Sequence, residues 1–254
     1  MDGISMPTAG VSKTLIFTPP YLASDGPLCE RFGIAQKEQP RDDQWQLTRT
    51  LSGALALRSP MREGPISITL DPSRGDLARR LRTARPDQPL PRAIGLHRRA
   101  TPPRVLDATA GLGRDCLLLA RLGCEVTACE QNAALAALLF DVAERSGLAH
   151  QITVHCGDAI ALMAAISPAD RPDIVYLDPM FEFSSQSQVK KEMQVCRLLA
   201  EDGDTSLLLH AAFAVAKDRV VVKRHPHLQP LRELPSFTVN GERVRFDVYL
   251  QVKS

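Results

Sequence analysis

The sequence predicts a doubly wound, Rossmann-like α/β sheet preceded by a small β-rich unit, and three observations carry that prediction. From Pro103 onward, short apolar runs alternate with stretches of helical spacing, the order expected of parallel strands joined by crossover helices. The first run, Arg104 to Ala108, opens into a small-residue turn, Thr109-Ala-Gly-Leu-Gly113, and then a leucine-rich helix pattern. Acidic residues recur where the runs end, at Asp107, Glu130, Asp158 and Asp178.

At 254 residues the chain can hold one large domain, or a large one with a small one. It has no run of about 18 apolar residues to span a bilayer. Nor does it begin with a charged start and a long apolar segment, so neither export nor a membrane anchor is expected. The six cysteines form no C-x-x-C pair and sit mostly in apolar patterns. Free thiols in a reducing cytoplasm follow. A net charge of +2 demands no nucleic-acid partner, but the charge is uneven: Arg74 to Arg104 holds nine arginines against Asp76 and Asp87. Such a stretch is either a solvated face and linker or a surface that follows a phosphate backbone.

The first 40 or so residues are rich in Pro, Gly and Ser, with Lys13 to Thr18 as the one plausible strand, so an irregular appendage is expected there. Trp45 to Leu51, Ala54 to Arg58 and Ile66 to Leu70 alternate like the strands of a small antiparallel unit. Arg74 to Thr83 has helical spacing, and the proline-punctuated stretch Arg85 to Pro91 predicts a linker before a short helix near Arg92 to Arg98. Two regions result, 1–91 and 92–254. In the second, strands are expected at Val105 to Ala108, Glu125 to Cys129, Ile152 to Cys156, Asp173 to Leu177, Arg219 to Val222 and Val244 to Val252. Helices are expected at Arg114 to Leu122, from the Asn132 cap to Arg145, after Asp158 to Ile166, at Ser187 to Ala200 and at Thr205 to Ala216.

Ligands of open α/β sheets bind at the carboxyl ends of the strands. There Gly111 and Gly113 let the backbone approach a ligand, and the following helix start favours its anionic part. Cys116 stands where the third glycine of a dinucleotide fingerprint would be. Asp107 ends its strand aimed at the crevice, Glu130 is placed to accept both hydroxyls of a ribose, and Asp158 to accept from an adenine amino group. A nucleoside joined to an amino acid through a sulfonium fits these groups better than NAD does. That ligand is S-adenosylmethionine.

Methylating an exocyclic amine requires an acceptor that holds the N–H and a flat surface for the ring. Asp178-Pro179-Met180-Phe181 supplies both: Asp178 and the Pro179 carbonyl as acceptors, and Phe181 as a stacking face for a flipped base. Lys190, Lys191, Lys223 and Arg224 follow the fourth and fifth strands, where they are either solvated surface or RNA backbone contacts. His225-Pro-His227 lacks the spacing of a metal site, and no Gly-x-Ser-x-Gly or Gly-x-x-x-x-Gly-Lys is present. No metal is expected.

Asp107-Ala-Thr-Ala-Gly-Leu-Gly-Arg-Asp115, Val175-Tyr-Leu-Asp-Pro-Met-Phe181, Val189-Lys-Lys-Glu-Met193, Val220-Val-Val-Lys-Arg224 and Arg245-Phe-Asp247 together resemble the RsmJ family of small-subunit ribosomal RNA guanine-N2 methyltransferases. The resemblance covers roughly residues 64 to 250. It implies a class I methyltransferase fold, S-adenosylmethionine as donor and a guanosine of 16S ribosomal RNA as acceptor. It also implies cofactor contacts at Arg114, Asp115, Glu130, Gln131, Gly157, Asp158 and Asp178. Two other readings stay open: the same donor serving a protein amide or small molecule, and a non-catalytic RNA-binding module on this fold.

Overall fold

Strands buried on both faces need no alternation, and the computed structural model, which describes residues 14–41, 43–60, 66–179, 191–199, 204–232 and 234–251, shows this in its larger sheet. β6 (Arg104–Asp107), β7 (Glu125–Glu130), β8 (Ile152–Cys156), β9 (Ile174–Leu177) and β10 (Arg219–Arg224) run parallel. All four residues of β9, Ile-Val-Tyr-Leu, are buried. β11 (Phe237–Asn240) and β12 (Arg245–Leu250) add an antiparallel edge, giving the order β11-β12-β10-β9-β6-β7-β8. The chain winds outward from β6 to β8, then returns to place β9 on the other side of β6. The crevice of a doubly wound sheet lies at that reversal.

Between the strands run α4 (Arg114–Arg121), α5 (Ala133–Arg145), α6 (Ala159–Ala165), α7 (Lys191–Leu199) and α8 (Thr205–Val215). Side-chain oxygens start three of them. Asn132 accepts from the amides of Ala134 and Leu135, Asp158 from Ile160, and Asp204 from Ser206 and Leu207. α5 buries nine of its residues, which locks it between the two sheets. No helix among the described residues is long and apolar enough to cross a membrane.

The N-terminal region is more ordered than its composition predicts. β1 (Leu15–Phe17), β2 (Ala35–Gln36), β3 (Trp45–Arg49), β4 (Leu55–Arg58) and β5 (Ser67–Thr69) form one sheet in the order β2-β1-β3-β4-β5, with α1 (Asp25–Phe32) between its first strands. The expected antiparallel unit is β3-β4-β5; β1 and β2 extend it in parallel. α2 (Gly75–Arg82) and α3 (Pro89–Ala93) follow. The stretch expected to be a linker is therefore partly helical, since Pro89 suits a first helical turn and Leu90, Ala93 and Ile94 have a core to enter. Phe17, Leu47 and Leu57 share one hydrophobic cluster with Leu117 and Leu138 of the larger unit.

A buried charge cluster stitches the same junction. The Arg49 guanidinium donates to Asp25 and Asp141 and to the Gly53 carbonyl. Asp141, on α5, also accepts from the Leu55 amide at 3.1 Å and from Arg145 at 2.8 Å. Removing one partner from such a cluster leaves a buried charge uncompensated, which typically costs about 3–5 kcal/mol.

Candidate active site

The turn after β6 is shaped by two glycines in the left-handed region, Gly111 at φ 53° and Gly113 at φ 70°. A side chain on Gly113 would collide with Leu139 of α5, its Cβ lying 2.0 Å from Leu139 Cδ1. Around Gly111 the space is open. The turn is tied to β7 by Glu130, which accepts from the Gly111 amide through Oε2 and from the Asn132 amide through Oε1, both at 2.7 Å. Burial holds the Glu130 carboxyl above its ordinary value. Beside it, the Gly157 amide donates to the Glu130 carbonyl at 3.0 Å, Gln131 is exposed, and Asp158 spends Oδ1 on capping α6.

Asp107 lies beneath the turn rather than in the open crevice. It is 1% exposed, accepts from the Thr109 amide at 3.1 Å, and receives a hydrogen bond from the Cys116 thiol at 3.0 Å. Burial, with the negative charges of Asp115 and Asp178 adding to it, pushes its carboxyl up to about 7. Cys116 is thus the donor that satisfies this carboxylate, a role the spacing of glycines did not reveal.

Asp115 sits in a different field. Burial alone would raise it, but Lys223, Arg80 and the Tyr176 hydroxyl outweigh burial and hold it at about 2. Tyr176 donates to it at 2.7 Å, Lys223 approaches at 3.2 Å, and Arg80 of α2 pairs with its other oxygen. Arg114, next in the chain, pairs with Glu192 of α7.

Asp178 closes the reversal point. Its amide donates to Thr109 Oγ1 at 2.6 Å, joining the ends of β9 and β6, and its Oδ2 accepts from Lys223 Nζ at 2.6 Å. Its side chain remains 39% exposed, while Pro179 is buried. Burial raises the Asp178 carboxyl, Lys223 opposes that, and Asp115 adds to it.

Lys223 and Arg224, expected as either solvated surface or RNA backbone contacts, instead turn to partners inside the protein: Lys223 bridges two carboxylates, and Arg224 is buried with its guanidinium bonded to the Gln229 carbonyl. Successive strand residues point to opposite faces, and each found an internal partner. Phe181 and Lys190 lie outside the described residues. Lys191 begins α7. Sequence reasoning missed Arg80, Cys116, Thr109 and Tyr176; a polar ring hydroxyl inside the apolar run Ile-Val-Tyr-Leu was the available signal for Tyr176.

The edge thus carries the carboxylates Asp115, Glu130, Asp158 and Asp178, with the buried Asp107 carboxyl beneath it and the cations Lys223, Arg80 and Arg114 among them. That surplus suits a cationic ligand. A family model of SAM-dependent methyltransferases, SAM_MT, matches residues 27–251. Ribosomal RNA small subunit methyltransferase J of Thioalkalivibrio sulfidiphilus is 44% identical over 207 residues, covering 78% of this chain and 80% of the relative. The chain belongs to the methyltransferase J family. The member from Chromobacterium violaceum is 36% identical over 236 residues, 88% of this chain and 90% of its own. A SAM-dependent methyltransferase from Neisseria gonorrhoeae superimposes with a TM-score of 0.72 at 33% identity, over 93% of this chain and 96% of its own. The donor of this family is S-adenosylmethionine. The residues present fit it: open backbone at Gly111 and a carboxylate-rich edge for a sulfonium and an ammonium group.

Proposed function

We propose that this chain transfers the methyl group of S-adenosylmethionine to the exocyclic N2 amine of a guanosine in 16S ribosomal RNA. The observation that carries the reading is Asp178: an acceptor at the sheet's reversal point, held by Lys223 yet partly open to the crevice. Its relatives named ribosomal RNA small subunit methyltransferase J support RNA as the acceptor class.

When bound, S-adenosylmethionine supplies an electrophilic methyl on a sulfonium that leaves as a thioether. In this reading Gly111, Gly113, Arg114 and Asp115 hold its amino-acid end, with Asp107 supporting the turn from below. Glu130 and Gln131 take the ribose, and Gly157 and Asp158 the adenine. Glu130 has acceptor capacity beyond the two amides it already serves, because a carboxylate offers about four lone-pair sites. Asp178 Oδ1 and the Pro179 carbonyl accept from the guanine amino group and aim its nitrogen along the methyl-sulfur axis. Phe181 stacks the flipped base. As the amine nitrogen took the methyl and the sulfur left as the thioether, Asp178 would accept the surplus amine proton. Lys190 and Lys191 neutralise nearby phosphates.

Asp178→Ala is expected to abolish transfer while RNA binding stays within about twofold of wild type. Normal turnover in that variant refutes the assignment. Mapping methylated nucleotides in 16S RNA from cells with and without the protein tests the guanine directly, and a site on any other base or atom refutes the N2 reading.

A further inference from the structure

We infer that the opposite edge of the large sheet carries a second RNA-docking site, a basic groove centred on Arg98, Lys217 and Arg219. The inference rests on the RNA reading above and adds a surface to it. β10 begins at Arg219 and reaches the catalytic edge at Arg224, so the groove lies about 16 Å from the active site along the strand.

The groove is a shallow, open hollow of about 410 Å³ lined by Gly95, Arg98, Arg99, Lys217, Asp218 and Arg219. It shares Gly95, Arg98 and Arg219 with an adjoining one of about 280 Å³ that adds Arg92, His97 and Phe237. Among the described residues Asp218 is the one acid lining either cavity, and it is already committed: Arg99 pairs with it, and Arg219 Nε and Nη2 approach it at 3.3 Å. Arg219 also donates to the Ala93 carbonyl at 3.1 Å. Gly95 makes room for this, since a Cβ there would stand 2.7 Å from the Arg219 guanidinium. Five basic side chains, Arg92, Arg98, Arg99, Lys217 and Arg219, therefore line the two adjoining cavities together with one carboxylate. Desolvation and then the fields of Arg98, Arg92 and Arg219 hold His97 below its ordinary value.

The occupant is identified by its chemistry. Clustered guanidiniums with one neutralised acid suit a run of phosphates. Phe237 stands at the rim, 40% exposed, and offers a ring face on which a base can stack. That pairing of cations and an aromatic favours single-stranded RNA over a small anion or an acidic peptide. A strand reaching from the target nucleotide past the β11-β12 edge would engage both sites at once.

The test uses the full chain with 16S RNA and compares wild type, Arg98→Ala with Lys217→Ala, the same pair changed to Arg98→Lys and Lys217→Arg, and Phe237→Ala. Arg98 and Lys217 are exposed, so the fold should survive their loss. Losing two phosphate contacts should lower the slope of log affinity against log salt by about 1.4 and raise KM for RNA on the order of tenfold near physiological salt. Turnover and S-adenosylmethionine affinity should not change. The charge-keeping pair should restore both values. Phe237→Ala should raise KM at every salt concentration and leave the slope alone. If wild type methylates RNA and the double variant matches it in KM and slope, the groove is not a docking site and the substrate reading stands. Equal loss of cofactor binding in the double variant also overturns docking, in favour of a structural role. If wild type methylates no RNA at all, both readings fall.

Discussion

Lys223 is the side chain whose removal tests the site's electrostatics most directly. Lys223→Ala takes away the ammonium that lies 2.6 Å from Asp178 and 3.2 Å from Asp115, leaving two carboxylates to repel each other. An adjacent opposite charge lowers a carboxyl by about 1–3 units. Asp178 is 39% exposed, so solvent screening keeps the rise toward the low end of that general range. The sign follows from the role proposed for Asp178. It must be ionised to accept the amine protons, so activity falls on the acid side, and raising its pKa moves that limb to higher pH. Well below the wild-type midpoint, a rise at the low end of that general range costs the variant about tenfold in activity relative to wild type. The assay is single-turnover methyl transfer across roughly pH 5 to 9, with Lys223→Arg as a control that keeps the cation. A variant with a lowered plateau and an unmoved acid limb refutes the reasoning.

Two further changes probe the turn beneath the cofactor edge. Asp107 titrates at about 7 when folded against 3.8 as a free group, so the folded state binds its proton more tightly. That contribution is fully present below about pH 4 and is lost as pH rises through about 7, to a total of roughly 4 kcal/mol. Asp107→Asn should flatten the difference in urea stability between about pH 5 and about pH 8; parallel pH slopes for the two proteins would count against a buried, protonated Asp107. Gly113→Ala combines left-handed strain with a clash against the fully buried Leu139, a cost of roughly 2–5 kcal/mol. Its melting temperature should drop by several degrees, and the double variant with Leu139→Ala should lose less than the sum of the two single losses; full additivity would show that the clash is not the cause.

The parallel core was legible because its signals are local. Apolar runs buried on both faces, the Asn132 and Asp158 caps, and acids at strand ends all sit within a few residues of what they organise. β2 carries no such signal: Ala35 and Gln36 are both exposed, and they are a strand only because β1 offers them a partner. β11 buries Val239 alone among its four residues, and its order comes from β12. The site divides in the same way. Asp107, Glu130, Asp158 and Asp178 could be read from the strand ends, whereas Arg80 reaches Asp115 across 35 residues and was indistinguishable from its arginine neighbours. Lys223 was read outward because an isolated lysine is ordinarily solvated. Its placement depends on two carboxylates that lie 108 and 45 residues away in sequence.

The Arg49 cluster bears on the order in which the chain can finish folding. Arg49 and Asp25 are 24 residues apart and meet inside the N-terminal sheet, but Asp141 follows Arg49 by 92 residues. At synthesis rates of roughly 5–20 residues per second, that gap lasts about 5–18 seconds. During it the Arg49 guanidinium has one of its two carboxylate partners, and the core face awaiting α5 is uncovered. The N-terminal sheet is therefore completed from behind, by a helix of the catalytic unit, and a chain halted before α5 would expose a sticky, charged surface at the point where the two sheets should meet.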